Sequence, residues 1–293
     1  MCGIVGIVSS HPVNQQVYDA LALLQHRGQD STGIATAEGS IIHMFKAKGQ
    51  VREAYRTRDM RTLLGNVGLG HVRYATKGSA SSEEEAQPFY VNAPYGIVLV
   101  HNGNLTNTRE LTQELFHIDR RHLNTSSDTE LLVNVLANEL QEQITGTDLD
   151  PDQVFAAISR LHERVEGSYA AIALIAGHGL LAFRDPFGIR PLVLGRRNAD
   201  FVGAEWVVAS ESLVLESAGY EVVRDVAPGE AIFITPNGEM HSRQCAANPR
   251  LLPCSFEYVY LARPDSVMNG ISVYEARLRL GDRLADTIAR YTP

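Results

Sequence analysis

The sequence predicts an α+β layered fold. Strand-like runs dominate the stretch Ile4–Leu105 and again the stretch Tyr169–Thr235, and three helical patterns lie between these two groups. Strands grouped around a block of helices are typical of layered α+β folds, whereas strict alternation would indicate βαβ winding. A length of 293 residues and a hydrophobic content of 44% allow a sizeable buried core.

The first group of strands begins near the start of the chain. Ile4–Val8 is a short apolar run and predicts the first strand. A helix with one apolar face follows and ends where Gly28 and Asp30 break the pattern. The next strands are GIATA, IIHMF, GLGHVRYAT and GIVLVHNGNL; the third leads into a polar, Gly/Ser-rich loop, and the fourth ends in an Asn-Gly-Asn turn.

The helices and the second group of strands complete the pattern. Asn107 with Glu110 predicts a capped helix, residues 127–130 (SDTE) open a second helix, and residues 154–165 form a third. The later strands are YAAIALIAG, GLLAF, RPLVLG, EWVVAS and EAIFIT. After Pro249, LLPCSFEYVYLARPDS predicts a packed connector, and Tyr274–Tyr291 predicts one more helix.

Charge and composition exclude several classes of protein. The net charge is −8 without a basic block, which argues against nucleic acid or an anionic membrane as the main partner. No run approaches the about 18 apolar residues of a membrane helix, and the start lacks a signal-like region. The 3 cysteines are odd in number and irregularly spaced, so we expect no disulfide framework and a cytoplasmic protein.

Cys2 is the first candidate for chemistry. If Met1 is removed, Cys2 carries a thiol with a reference pKa of about 8.5 beside an α-amine of about 7.7–8.0. The amine can then accept the thiol proton, so that one residue supplies nucleophile and base. The alternative is a small buried side chain at the start of a strand.

The other candidates each have a structural alternative. Asn102 and Gly103 can donate to an oxyanion, or they form a plain Asn-Gly turn. Arg73 can bind a substrate carboxylate, or it is a surface charge. Asp128 can bind a substrate ammonium, or it serves a helix N-terminus. Glu83–Glu85 is interpreted as a solvated loop, and the 10 scattered histidines lack the spacing of a zinc site.

Several motifs together resemble one family. Cys2-Gly-Ile, LQHRGQDSTGI, GHVRYATKGS, AQPF, HNGNLTN and SSDTE occur in the order found in class II glutamine amidotransferases, which are N-terminal nucleophile hydrolases. QHRGQDS, FRDPFGIRPLVLG, ASES, DVAPGE and FEYVYLARPDS further resemble the glutamine phosphoribosylpyrophosphate amidotransferase family. The resemblance extends over nearly the whole chain and implies a four-layer αββα sandwich.

The resemblance also implies roles for the candidate residues. It implies that Cys2 attacks the amide of glutamine to form a γ-glutamyl thioester, releasing ammonia and then glutamate. It further implies an oxyanion hole and contacts for both ends of the substrate. The matching residues are Asn102 and Gly103 for the oxyanion, Arg73 for the carboxylate, Asp128 for the amino group, Gly103 and Thr76 as further contacts, Tyr74–Glu85 as a closing loop, and Arg27, in a second stretch that lines the site, as a further substrate-binding residue.

The family pattern divides the chain into two parts. Residues 2–249 match the glutaminase domain, and residues 250–293 match a connector and the first helix of a phosphoribosyltransferase domain. The acidic strand-end signature and phosphate loop of that domain do not occur in this sequence. We therefore expect a truncated chain with glutaminase activity only, glutamine as its partner, and no cofactor. Mg²⁺ is expected only for the missing domain, and homo-oligomers only for the full-length enzyme.

Three rival interpretations stay open. The N-terminal halves of glucosamine-phosphate synthase and asparagine synthetase share Cys2 and the Arg/Asp pair, but QHRGQDS, HNGNLTN and the connector argue against them. A non-catalytic interaction module is disfavoured because every matched catalytic position is filled. An N-terminal cysteine acylase for another amide is disfavoured because Arg73 and Asp128 together suit a free amino acid.

Overall fold

A computed structural model of the chain describes residues 2–74, 84–146, 149–198 and 203–291. Its strands are β1 Gly3–Val8, β2 Ser31–Glu38, β3 Ile41–Lys48, β4 Val67–Arg73, β5 Phe89–Val91, β6 Ile97–Leu105, β7 Gly167–Ile175, β8 Gly179–Arg184, β9 Val193–Asn198, β10 Ala204–Ala209, β11 Glu221–Asp225, β12 Glu230–Ile234, β13 Met240–Gln244, β14 Val267–Met268 and β15 Ile271–Ser272. Its α-helices are α1 Asn14–Leu23, α2 Val51–Ala54, α3 Thr57–Thr62, α4 Thr108–His117, α5 Asp128–Gln143, α6 Pro151–Arg164, α7 Ser212–Ser217 and α8 Val273–Tyr291.

Two antiparallel sheets stack between two layers of helices. The first sheet has the strand order β11-β9-β10-β1-β4-β2-β3, and the second has the order β13-β12-β8-β7-β6-β5. One apolar cluster lies between the sheets, a second lies between the first sheet and α1 and α7, and a third joins the second sheet to α4, α5 and α6. The predicted α+β class and the four-layer αββα sandwich are confirmed.

The alternating geometry of a strand explains why β1 is apolar throughout. Ile4 and Val8 face the other sheet, whereas Val5 and Ile7 face the helices, so both faces are buried. Gly6 permits the close approach of the sheets, because a Cβ at this position would lie 2.7 Å from Cγ2 of Ile172.

The position of β1 determines where the start of the chain lies. β1 is the central strand of the first sheet and pairs with β4 on one side and β10 on the other. Gly3 is opposite Val72 in this register. The preceding residue, Cys2, therefore lies at the end of the sheet beside Arg73.

The predicted helices are present, but one predicted cap is wrong. Ser127 caps α5 by accepting the backbone N–H of Thr129 at 3.3 Å. Asn107 makes no side-chain cap on α4. Its amide group instead donates to the carbonyl of Arg164 at 2.8 Å and accepts the N–H of Glu166 at 3.1 Å. Asn107 thus fastens the start of α4 to the end of α6.

The end of the chain packs against the first sheet through a short segment. A 3-10 turn at Gln25–Arg27 and a π-helical turn at Glu257–Leu261 bring the connector beneath the start of β1. Much of α8 is exposed, and its exposed apolar residues are Tyr274, Leu278, Leu280, Leu284, Ile288 and Tyr291. Within the residues that the structure describes, no helix has both the length and the apolar character needed to cross a membrane.

Candidate active site

Cys2 joins the two sheets at their shared end. Its side chain is buried, and its backbone N–H donates to Oδ1 of Asn102 at 3.1 Å. The sulfur lies 3.8 Å from the carbonyl oxygen of Tyr74. Burial raises the pKa of the Cys2 thiol. The thiol is therefore protonated near neutral pH, and nucleophilic attack requires a base that accepts its proton.

Asn102 presents an unused donor beside this thiol. The residue is fully buried, and its Nδ2 has no hydrogen-bond partner among the described residues. A buried amide donor without a partner is costly, and its presence indicates a place reserved for an acceptor. Because Oδ1 binds the nitrogen of Cys2, the free NH₂ group belongs to the same local site as the sulfur.

The backbone of β6 supplies a second donor at this place. Beyond Leu99, β5 no longer pairs with β6, so one edge of β6 is open. His101 directs its N–H toward this edge, where Oε1 of Gln87 accepts it at 2.7 Å. Leu105 directs its N–H the same way, to Oδ2 of Asp128 at 3.2 Å. Alternation along an antiparallel strand therefore directs the N–H of Gly103 toward the same open edge.

Asp128 lies at this edge as the first residue of α5. Its side chain is 13% exposed, and its Oδ1 is 3.9 Å from Nδ1 of His101. Burial lowers the pKa of His101 although the charge of Asp128 opposes the shift, so the imidazole is neutral. The Asp128 carboxylate therefore lies beside a neutral ring and not beside an imidazolium.

Arg73 places a guanidinium in the site, and this guanidinium forms an ion pair with Glu85. Its Nη2 donates to Oε2 of Glu85 at 2.9 Å, and Oγ of Ser126 donates to Oε1 of the same carboxylate at 2.9 Å. Glu85 is only 6% exposed. The interpretation of this acidic stretch as a solvated loop is therefore wrong for Glu85, while its neighbour Glu84 is exposed.

Arg27 lies beneath Cys2 and is fully buried. Its Nε donates to the carbonyl oxygen of Cys2 at 3.0 Å, and Nη2 donates to both carboxylate oxygens of Glu257 at 2.9 and 2.7 Å. Nη1 forms an ion pair with Glu211. A guanidinium in these contacts has no exposed surface for a ligand. The expected role of Arg27 as a direct substrate contact does not fit this position.

Glu211 completes the buried cluster under the nucleophile. Burial alone would raise its pKa, but the hydrogen bond from His26 and the charge of Arg27 outweigh burial and lower the pKa to about 2. Its second oxygen accepts the N–H of Arg263 at 3.0 Å and the hydroxyl of Ser266 at 2.7 Å. The connector and the start of β1 thus share one ionic cluster.

The remaining predicted features can be placed briefly. Thr76 and most of the predicted closing loop, residues 75–83, lie outside the described residues. In the described ranges, no group of three or more His, Cys, Asp and Glu side chains is placed to hold a metal ion. Cys245 and Cys254 are free thiols.

The structure therefore brings together Cys2, Asn102, Gly103, Arg73 and Asp128. It adds side-chain contacts of Glu85, Ser126 and Gln87, to which the sequence analysis gave no individual role. The polar run before Pro88 gave no local sign that Glu85 is buried, because its partners lie 12 and 41 residues away. This arrangement places a thiol, two N–H donors, a guanidinium and a carboxylate in one cleft, and these are the chemical groups that acyl transfer from an amino acid amide would use.

Comparisons with known proteins agree with this site. The family model described as glutamine amidotransferase domain matches residues 71–217, half of the chain. The amidophosphoribosyltransferase of Pasteurella multocida (strain Pm70) is 57% identical over 291 residues, covering 99% of this chain and 57% of that protein. The amidophosphoribosyltransferase of Escherichia coli (strain K12) is 55% identical over 291 residues, with the same two coverages.

A solved structure is similar along nearly the whole chain. The glutamine phosphoribosylpyrophosphate amidotransferase from B. subtilis, complexed with ADP and GMP, superposes with a TM-score of 0.82 at 33% identity. The match covers 97% of this chain and 58% of that one. The chain thus spans somewhat more than half the length of the relatives it matches, and the resemblance inferred from its motifs is confirmed: the chain belongs to the glutamine amidotransferase family.

Proposed function

We propose that this chain hydrolyses the side-chain amide of glutamine, with Cys2 as the nucleophile after removal of Met1. The observation on which this proposal rests is the contact between the nitrogen of Cys2 and Oδ1 of Asn102, which leaves Nδ2 of Asn102 unpartnered and buried beside the thiol. The side chain of Asn102 thereby orients Cys2 and offers an N–H donor to the amide oxygen of glutamine, which becomes negatively charged during the reaction.

The first half of the reaction forms a thioester. The free α-amine of Cys2 accepts the thiol proton as the sulfur bonds to the amide carbon of glutamine. Negative charge develops on the amide oxygen, where Nδ2 of Asn102 and the N–H of Gly103 donate hydrogen bonds. The tetrahedral intermediate collapses, the α-ammonium returns the proton to the leaving nitrogen, and ammonia departs.

The second half releases glutamate. Water attacks the thioester carbon while the α-amine of Cys2 takes one of its protons. The same two donors stabilise the second oxyanion. The carbon–sulfur bond then breaks, the α-ammonium returns its proton to the sulfur, the new γ-carboxyl group loses its proton to water, and glutamate leaves the site. No metal or organic cofactor is needed for either half.

Recognition of the amino acid uses the two charged residues of the cleft. Arg73 suits the α-carboxylate and Asp128 suits the α-ammonium, because a zwitterion requires one partner of each sign. Asp128 is also next to Gly103 along the open edge of β6, since its Oδ2 accepts the N–H of Leu105. The residues proposed to bind the ammonium and the oxyanion, Asp128 and Gly103, are therefore both positioned by the open edge of β6.

The larger relatives suggest where the ammonia goes. In a protein that also contains a phosphoribosyltransferase domain, we propose that ammonia reacts with phosphoribosyl pyrophosphate to give 5-phosphoribosylamine, the first step of purine synthesis. Residues 2–249 would be the ammonia-producing domain, and residues 250–293 the connector and first helix of the acceptor domain. Mg²⁺ and homo-oligomer formation belong to that larger enzyme, and a cytoplasmic location suits its substrates.

The test is glutamate and ammonia production by the purified chain. Intact mass first establishes whether Met1 is absent. Cys2→Ser should abolish turnover, whereas Cys254→Ser, at a partly exposed cysteine in the connector, should leave turnover unchanged. An electrophilic diazoketone analogue of glutamine should label Cys2 alone. Full activity in a preparation that retains Met1, or in Cys2→Ser, would contradict the proposal.

A further inference from the structure

Glu85 is a buried carboxylate whose two oxygens hold two different parts of the cleft. Oε2 accepts Nη2 of Arg73 at 2.9 Å, and Oε1 accepts Oγ of Ser126 at 2.9 Å. The side chains of Arg73 and Glu85 are only 7% and 8% exposed. A buried ion pair requires good geometry and full hydrogen bonding to offset its loss of hydration, and Glu85 has both.

The backbone on the C-terminal side of Glu85 is held firmly. Nζ of Lys46 donates to the carbonyl oxygen of Ala86 at 2.7 Å. The side chain of Gln87 accepts the N–H of His101 and donates to its carbonyl oxygen, at 2.7 and 3.2 Å. Glu85 is therefore followed directly by two residues that hydrogen bonds hold against β3 and β6.

Glu85 also connects the two ends of the proposed substrate site. Arg73 lies at the end of β4, and Ser126 lies two residues before Asp128, at the start of α5. Because a guanidinium carries five N–H donors, it can hold Glu85 and a substrate carboxylate at the same time. Contact with a fixed carboxylate restricts the many rotamers of a long arginine side chain before the substrate arrives.

We propose that Glu85 is a positioning residue for substrate recognition. It orients Arg73 toward the α-carboxylate of glutamine, and it fixes Ser126 two residues before the start of α5. This inference rests on the proposed glutaminase function. It assigns Glu85 no contact with the reacting atoms. Its effect is on the binding of the carboxylate end of the substrate and not on the chemical step.

The same contacts allow an opposite role, in which Glu85 occupies the place of the substrate carboxylate and must leave before glutamine binds. The fastened backbone at Ala86 and Gln87 argues against it. The two roles also differ in the sign of one measurement. Neutralising a positioning residue weakens glutamine binding, whereas neutralising a competing carboxylate strengthens it.

The experiment compares Glu85→Gln with Glu142→Gln, which removes the same charge from an exposed residue near the far end of α5. Glu85→Gln should raise KM for glutamine about tenfold with kcat changed less than about threefold, because a charge-assisted contact that orients the binding residue is lost. Glu142→Gln should leave both constants unchanged. A fall in KM, or an unchanged KM in Glu85→Gln, would overturn the proposal.

A substrate analogue separates positioning from general damage to the fold. The α-amide of glutamine lacks the carboxylate that Arg73 would bind, so Glu85→Gln should affect its hydrolysis much less than that of glutamine. In the Arg73→Ala background, Glu85→Gln should add little further loss. Equal losses with both substrates, or fully additive losses, would overturn the proposal.

Failure of the proposed function gives a different result. If the wild-type chain releases no glutamate and Cys2 is not labelled, the glutaminase proposal fails and Glu85 has no role to assign. If Glu85→Gln does not fold, Ser126→Ala serves as the second variant, because it removes one hydroxyl and leaves the ion pair in place. Ser126→Ala should raise KM for glutamine above the wild-type value by less than about tenfold with kcat unchanged, because one hydrogen bond to Glu85 is lost and the ion pair stays. An unchanged or lowered KM would contradict the role of this contact.

Discussion

At the scale of single residues, Asn102 uses the two ends of one amide for two purposes. Oδ1 accepts the N–H of Cys2, and Nδ2, which has no partner among the described residues, is left for the oxyanion of the proposed reaction. No other side chain of similar size offers a fixed acceptor and a fixed donor together. This explains why an asparagine within β6 is suited to face Cys2, the residue just before β1.

Asn102→Asp tests the two purposes separately. Aspartate keeps an acceptor for the nitrogen of Cys2 but replaces the donor by a negative charge. We expect kcat to fall by about 10²- to 10³-fold or more, as for the loss of one oxyanion donor, while KM changes little. Steady-state glutaminase assays measure both constants. A variant with kcat within about threefold of wild type would contradict the oxyanion role.

Residue types and local motifs predicted most of the candidate site. Cys2, Arg73 and Asp128 stand at strand ends or at a helix start, where a short motif reveals the position of the side chain. Asn102 and Gly103 lie inside β6, which pairs with β7 as far as Leu105, so the turn predicted at Asn-Gly-Asn is wrong. Their common location could be predicted through the family resemblance. Their contacts with residues far along the chain could not, because no local pattern encodes a partner more than 40 residues away.

The roles of Glu85 and Arg27 show this limit. An acidic run and a single arginine normally indicate solvated positions. The sequence contains no sign that Glu85 meets Arg73 and Ser126, or that Arg27 meets Glu257 across 230 residues. Burial of a charge is decided by tertiary packing, which periodicity and composition do not specify.

At the scale of elements, the 3-10 turn at Gln25–Arg27 links the connector to the start of β1. Arg27 is held by Glu211, which follows β10, and by Glu257 in the π-helical turn, and it binds the carbonyl oxygen of Cys2. Three elements distant in sequence therefore fix the backbone of the nucleophile. We infer that Arg27 acts on the reaction through Cys2 and not through the substrate.

Arg27→Met should be strongly destabilising. It leaves the buried carboxylates of Glu211 and Glu257 without their main cation, and breaking a buried ion pair in this way costs about 3–5 kcal/mol. Arg263→Met removes an arginine whose side chain pairs with Asp265 at the surface, and it should cost less than about 1 kcal/mol. Denaturant unfolding compares the two, and equal losses would contradict the structural role of Arg27.

A contact between α6 and β7 makes the free energy of unfolding depend on pH. His162, near the end of α6, has Nδ1 at 2.7 Å from the hydroxyl of Tyr169 and Nε2 at 3.3 Å from the carbonyl oxygen of Gly229. A neutral ring satisfies both contacts by accepting the Tyr169 hydroxyl at Nδ1 and donating from Nε2. Burial lowers the pKa of His162 to about 4, although the Gly229 contact opposes this.

The folded protein should therefore lose stability as the pH falls. The unfolded chain binds a proton at His162 near pH 6.5, whereas the folded chain does so only near pH 4, so acid favours unfolding between these values. The contribution is about 2 kcal/mol for this partly buried ring. His162→Gln should reduce the slope of stability against pH in this window, and His122→Gln, at an exposed histidine, should not.

At the scale of the whole molecule, the two sheets and their helices account for residues 3–244, and the rest of the chain is arranged differently. The connector packs under β1, but α8 leaves most of its apolar residues exposed. An exposed apolar stripe on a long helix is typical of a surface that a larger protein covers. This exposure supports the proposed division of the chain after residue 249.

The division makes a prediction about a second substrate. If these 293 residues hold only the ammonia-producing part, phosphoribosyl pyrophosphate should neither bind nor change glutamate production. Calorimetric titration and parallel glutaminase assays with and without the compound measure this. Saturable binding, or a several-fold stimulation, would show that a phosphoribosyl site exists within this chain and would contradict the proposed division.

The central position of β1 has a consequence for protein synthesis. Among the described strands, β1 leaves the ribosome first, yet its neighbour β10 ends at Ala209, about two hundred residues later. A nascent chain lacking β10 has an unpaired edge where the nucleophile should be fixed. The proposed removal of Met1 has this interval in which to occur, while Cys2 is still accessible. The cleft around Cys2 is therefore assembled late in translation, and the proposed glutaminase reaction requires a chain whose first sheet is complete.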